Sequence, residues 1–273
     1  MLVGLLTLSG CSTLLGGGSV NQGQLAADPG VEYPWDTEAD ARLELYRNNY
    51  TAVYSVANRT TGNIEEPHMI ELYNRDALGT DQPLPPESLQ FRYENGTLLR
   101  FVESDEGANL VMERNGSRTD VDDSLLVVNQ TRRRTQVFLP TNQTGQLAFV
   151  GPKNGKQVST PQFVSGSYEM RLTEGARVGL PLLSQVRPGG STAETVDGRV
   201  EVQWGNVENA GSVLVRYYLE RDLLLFGGLL GIGIVLAIGG GVYYYLGIRE
   251  TVRRREEVGL DVDTGDDDGP GPF

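Results

Sequence analysis

Residues 90–101 read QFRYENGTLLRF, and how these twelve residues are read decides the fold. Phe91 and Tyr93 alternate with polar neighbours on one side of Asn95-Gly96, and Leu99 and Phe101 flank Arg100 on the other. Alternation with a period of two puts one face of a strand toward a core. Asn-Gly is the pair that readily takes the two positive φ angles of a type I′ turn. The stretch therefore predicts a β-hairpin. Residues 110–121, LVMERNGSRTDV, repeat the device with Asn115 and Gly116.

Working outward, short β-branched and aromatic runs recur between Asn, Gly, Pro and Asp. They are YTAVYSVAN (50–58), MIELY (69–73), SLLVV (124–128), TQVFL (135–139), QLAFV (146–150), SYEMRL (167–172), RVEVQW (199–204) and SVLVRYYL (212–219). This spacing predicts an all-β ectodomain of one or two sandwich-like domains. The polar, turn-rich GPKNGKQVSTP at 151–161 is the preferred boundary between a part at 33–150 and a part at 160–220.

The pattern changes at residues 223–248, LLLFGGLLGIGIVLAIGGGVYYYLGI, which carry no charge. At 1.5 Å per residue such a helix reaches ~39 Å, enough to cross a hydrocarbon core of about 30 Å with some tilt. Tyr217, Tyr218 and Phe226 at one end and Tyr243, Tyr244 and Tyr245 at the other match interfacial aromatic belts. Arg249, Arg253, Arg254 and Arg255 follow the run, against Arg216 and Arg221 before it. The positive-inside bias predicts a single-pass protein of the cell membrane, with the ectodomain extracellular and the acidic tail, 249–273, cytoplasmic. Gly227 and Gly231 make a GxxxG spacing, through which another membrane protein could pack against the helix.

Cys11 is the one cysteine of the chain. That excludes an intramolecular disulfide and a thiolate metal cluster. Leu8, Ser9, Gly10 and Cys11 resemble the lipobox of secreted lipoproteins, which implies lipidation of Cys11 and a signal segment over 1–11. The short apolar run before Cys11 holds no lysine or arginine, so the true start is expected upstream. Residues 12–32, small and glycine-rich, are expected to be a flexible linker.

Six Asn-x-Ser/Thr sequons start at Asn49, Asn58, Asn95, Asn115, Asn129 and Asn142. Chance predicts about 1.7 in a chain with this many Asn, Ser and Thr residues. Their confinement to the expected outer segment suggests a glycoprotein, although Asn95 and Asn115 also have a turn role.

The net charge of −13 makes nucleic acid an unsuitable partner, since a phosphate backbone needs a basic face. With only Lys153 and Lys156 as lysines, the acidic surface looks like that of proteins from extreme halophiles. Other patterns do not become chemistry. His68 is the one histidine and has no nucleophile motif beside it. The acidic tail around Asp261, Asp263 and Asp266 has Gly265 and Pro272 where an EF-hand needs ligands. Arg132, Arg133 and Arg134 read equally well as strand-edge arginines facing acidic neighbours and as a basic binding patch. No catalytic residue, metal site or cofactor is expected.

YTAVYSVAN, VFLP (137–140), GSYEMRL (166–172), RPGG (187–190), DGRVEVQW (197–204), VRYYLERDLLLFGG (215–228) and REEVGLDVD (255–263) together resemble a family of haloarchaeal membrane proteins known only as a domain of unknown function. The resemblance implies a lipobox, a β-rich ectodomain, a helix and a short acidic tail, and carries no functional residue across. The expected function is a non-enzymatic, membrane-anchored surface lipoprotein that binds a membrane or envelope partner. The alternatives are a ligand-binding sensor or transport accessory subunit, and an envelope hydrolase built on carboxylates clustered in a cleft.

Overall fold

The alternation in residues 90–101 takes physical form in a computed structural model, which describes residues 20–56, 69–75, 80–105, 107–139, 144–153 and 155–257. Phe91 and Leu99 are fully buried and lie opposite one another where β5 (Glu87–Tyr93) pairs antiparallel with β6 (Leu98–Ser104). The turn departs from the type I′ expectation, because only Gly96 of the Asn-Gly pair has a positive φ, +79°. The Gly96 amide donates to the Tyr93 carbonyl (2.9 Å) and the Tyr93 amide to the Thr97 carbonyl (2.8 Å). The result is a three-residue loop closed by a left-handed glycine. Asn95 Oδ1 accepts the Thr97 amide at 2.9 Å, so the side chain does the work expected of its backbone.

Between β7 (Gly107–Arg114) and β8 (Ser117–Asp120), Asn115 (φ +49°) and Gly116 (φ +78°) do form the expected turn. Asp197 and Gly198 build another, at +51° and +77°, between β16 (Thr192–Val196) and β17 (Arg199–Val207).

These strands belong to a ten-stranded sheet. Its other members are β13 (Gly166–Arg171), β1 (Ala41–Leu45), β2 (Asn49–Val56) and β11 (Gly145–Pro152). The order is β16-β17-β13-β1-β2-β11-β5-β6-β7-β8. All neighbours are antiparallel except β1 and β13, which run parallel with Leu43 beside Met170.

Three smaller sheets complete the body. One has the order β4-β3-β10-β9, built from β3 (Met69–Arg75), β4 (Asp81–Pro83), β9 (Val127–Gln130) and β10 (Thr135–Phe138). The next joins β12 (Gln157–Pro161), β18 (Ser212–Arg216) and β15 (Gln185–Arg187). The last pairs β14 (Ala176–Arg177) with β19 (Tyr218–Leu219).

One face of the large sheet supplies Leu43, Tyr54, Phe91, Phe149, Met170 and Trp204 to a single hydrophobic core. The small sheets supply Ile70, Leu72, Val137, Val158, Val213 and Val215 to the same core. The Tyr54 ring stacks on Phe149 at 6.0 Å and meets Phe163 edge-on at 5.4 Å. Its hydroxyl lies 3.2 Å from Thr160 Oγ1, which satisfies a polar group that burial would otherwise penalise. Strands on both sides of the 151–161 stretch share this sheet and core, and the stretch itself contains the end of β11 and all of β12.

Two further local readings differ from the sequence expectation. Within the 12–32 stretch, residues 22–25 form the short helix α1 (Gln22–Leu25), and Leu25 is buried in the core with Val20 packed beside it. The linker composition therefore extends into a segment held by apolar contacts. In SLLVV, residues 123–125 form a 3₁₀ turn instead of a strand, because Asp122 Oδ1 accepts the Ser124 amide at 2.8 Å and caps it. The strand begins only at Val127.

The chain divides between Leu219 and Glu220 into a β-rich unit and a helical unit. The latter contains α2 (Glu220–Glu257), which extends the expected 223–248 run at both ends. It is the one helix among the described residues long and apolar enough to cross a membrane, and none of its apolar window is buried. This supports a single-pass membrane protein.

Candidate functional site

The second face of the ten-stranded sheet carries the residues that alternate with the core set. A small part of it is apolar. Val53 of β2 and Ala148 and Val150 of β11 form a small cluster of their own, covered by Tyr33 and Trp35 from the segment preceding β1. This segment forms a strap. The Tyr33 hydroxyl donates to the Ser88 carbonyl at 2.7 Å, and its ring meets Trp35 edge-on at 5.4 Å. Burial pushes the Tyr33 phenol well up, so it stays a donor. Ser88 has a left-handed φ of +52°, at the point where the register between β11 and β5 shifts past Ala148. Such irregularities often mark places where a strand re-aims its groups. At its far end the strap is pinned by Asp40, whose Oδ2 accepts from the Ser167 amide (2.8 Å) and hydroxyl (2.9 Å).

Beside the strap lies an open cleft of about 770 Å³, whose walls include Glu32, Trp35, Asp36, Arg42, Arg92 and Leu98. The Arg92 guanidinium lies 5.8 Å from the Trp35 ring centre and reaches Asp36 at 3.3 Å. Asp36 itself is 95% exposed. An aromatic ring, a guanidinium on its face and an exposed carboxylate form a surface suited to a polar ligand with an apolar side.

Arg42 connects the cleft to the ionic part of the face. Its Nη1 donates to Glu169 on β13 at 2.7 Å, and its Nη2 to Glu44 on β1 at 3.2 Å. Glu201 of β17 accepts from Gln203 at 2.8 Å and lies 3.9 Å from Arg42. Glu169 and Glu201 are 13% and 9% exposed. Burial, then a hydrogen bond to Glu201, push the Glu169 carboxyl up to about 7. Burial acts upward on Glu201 too, but the hydrogen bonds from Glu169 and Gln203, with Arg42 nearby, leave it lowered. The two neighbouring carboxyls are thus pushed apart, Glu169 toward its protonated form and Glu201 toward its ionised form. Arg199 anchors this part by donating to the carbonyls of Leu172 (2.7 Å) and Leu45 (3.0 Å).

The residues singled out by sequence do not converge on this face. Cys11, Asn58, His68, Asn142 and the acidic tail from residue 258 onward lie outside the described residues. Asn115 and Ser117 are exposed on the β7–β8 turn, and Asn129 is exposed on β9. Asn49 opens β2, and its sequon partner Thr51 is buried. Asn95 is exposed while Thr97 is buried. Gly227 and Gly231 lie on α2 with open space around them. Of the three arginines at 132–134, Arg134 pairs with Glu71 and Asp81 and stacks 4.5 Å from the Tyr73 ring centre, as its structural reading expects.

Sequence reasoning missed Tyr33, Trp35, Arg42, Arg92, Glu169 and Glu201. The available signal was the run of charges at alternate positions in 41–45 and 167–172, facing away from the apolar positions.

No curated protein matches the chain. A family model described as a family of unknown function matches residues 37–263, which takes in all nineteen described strands and α2. The chain belongs to this family of unknown function, DUF5803.

Proposed function

We propose that the chain is a cell-surface, single-pass membrane protein whose β-rich ectodomain is a non-catalytic binding module for a membrane or envelope partner. The observation that carries the reading is the strap cleft. There a ring, a guanidinium and two carboxylates are held on a broad sheet, and Tyr33 and Asp40 hold the strap in place. Rigid presentation of a few polar groups beside an aromatic ring lowers the ordering cost of binding. The arginines after the apolar run favour an external ectodomain. Lipidation at Cys11 would add a second tether at the opposite end of the ectodomain sequence. The accessible sequons at Asn115 and Asn129 are the glycan sites this reading assigns.

The raised carboxyl of Glu169 beside Glu201 favours a second reading, an envelope hydrolase with Glu169 as acid. Two features support the binding reading instead. The carboxyls are in direct hydrogen-bond contact, whereas glycoside hydrolysis uses pairs about 5 to 9.5 Å apart. Arg42 also occupies Glu169 at 2.7 Å, where a substrate atom would have to sit.

The test is a photo-crosslinking residue at Asp36, beside the cleft, compared with one at Arg118 on β8, in cells. A single partner captured from Asp36 and absent from Arg118 supports the assignment. Identical capture from both positions, or none from either, counts against it.

A further inference from the structure

Among the described residues outside α2, four large hydrophobic side chains are conspicuously exposed, and three of them sit in one turn: Leu180, Leu182 and Leu183, with Val196 the fourth. Leu182 is 97% exposed. The turn is not a frayed loop. The amides of Leu183 and Ser184 both donate to the Leu180 carbonyl, at 2.9 and 2.8 Å, and Ser184 Oγ accepts the Gly179 amide at 3.0 Å. Val178, at its base, packs against the core. The fold thus spends local hydrogen bonds on displaying leucine to the surroundings, an arrangement that a soluble surface disfavours.

The position of this turn in the strand register says what meets it. The chain leaves β14 at Arg177, opposite Tyr218, and enters β15 at Gln185, opposite Arg216. Both partners belong to the last strands before α2, and Leu219 is followed directly by Glu220, its first residue. Leu223, where the uncharged run starts, is seven steps along the chain from Arg216, so the chain itself bounds their separation to roughly 25 Å. The charge is also unusual for this acidic chain. Arg177, Arg187 and Arg216 lie on the strands that border the turn, and Lys156 just before β12, while Lys153 is buried and donates to the Tyr217 hydroxyl. Glu174 is the nearby acid in sequence on these strands and turns.

We propose that the Leu180–Leu183 turn is a monotopic membrane contact, with its leucines inserted at the headgroup boundary of the bilayer that α2 crosses and the flanking arginines on lipid phosphates. Apolar tips rimmed by basic residues bind such boundaries through buried area plus attraction to anionic headgroups. The contact would hold the ectodomain at the lipid surface at a second point, independent of the strap cleft. It rests on the reading of α2 as a membrane span.

The test uses the full chain with Cys11→Ser, reconstituted in vesicles containing anionic lipid and lipid-borne nitroxide quenchers. An environment-sensitive dye is attached at Leu182→Cys, Asp36→Cys or Val235→Cys in turn. The expected result is a blue-shifted, quenched dye at Leu182 with shallow nitroxides, a quenched dye at Val235 with deep ones, and an unquenched dye at Asp36. Quenching at Val235 with a water-like, unquenched Leu182 overturns the loop contact alone. An unquenched Val235 overturns the membrane span, and the loop contact with it.

Discussion

Replacing Glu169 with glutamine isolates the raised Glu169 carboxyl on the outer face. In the native fold Glu169 accepts from Arg42 and shares a hydrogen bond with Glu201. Glutamine keeps both, because its carbonyl oxygen still accepts from Arg42 and its amide donates to Glu201 as the protonated acid does. The carboxyl titrates near 4.5 as a free side chain and near 7 in the fold, so the folded state holds the proton more tightly. Stability from this group is fully present below pH 4.5 and is lost as the pH rises through 7. The loss is at most about 3–4 kcal/mol, because each pH unit between the two titrations is worth about 1.4 kcal/mol. Denaturant midpoints of the natural chain should therefore fall between pH 5 and pH 8. Those of Glu169→Gln should stay nearly level and exceed the natural values at pH 8. Parallel profiles for the two proteins would refute a Glu169 carboxyl raised by its burial beside Glu201.

Three further outcomes follow from contacts already described. Tyr33→Phe strands the Ser88 carbonyl and should cost about 1–2 kcal/mol, read as a lower melting temperature and faster proteolysis within residues 31–40. Gly145→Ala would place a Cβ 2.6 Å from Phe91 Cζ and against the Arg92 carbonyl, so it should destabilise by about 3 kcal/mol in chemical denaturation. Intact-mass analysis of the native protein should lose a glycan on Asn115→Gln and show no change on Asn49→Gln, whose sequon partner Thr51 is buried.

The local half of this architecture is legible in the sequence, and the non-local half is not. Alternation fixes β5 and β6, and Asn115-Gly116 fixes a turn, because both depend on neighbours a few residues apart. β16 escapes notice for a physical reason. It is an exposed strand at the edge of the sheet, TAETV, with no buried side to produce a hydrophobic rhythm. β1 is five residues long with two of them charged, and its role emerges only from its parallel pairing with β13, far along the chain. The site is hidden for the same reason. Arg42 meets Glu169 across 127 positions, and Tyr33 meets Ser88 across 55. Residues 31–40 contain a proline and four acids, and nothing local shows that Tyr33 and Trp35 lie over the sheet. The uncharged run at 223–248 is the opposite case, since its composition alone defines it.

The account turns on a β-rich ectodomain held outside the cell by α2, and cysteine accessibility tests that most directly. In a Cys11→Ser background, Asp36→Cys and Arg254→Cys are each exposed to a membrane-impermeant maleimide on intact cells and after lysis. Asp36 is 95% exposed in the β-rich unit, and the Arg254 side chain is 75% exposed near the end of α2. The account predicts labelling of Asp36→Cys on intact cells and of Arg254→Cys only after lysis. Labelling of Arg254→Cys on intact cells, with Asp36→Cys protected until lysis, would contradict it.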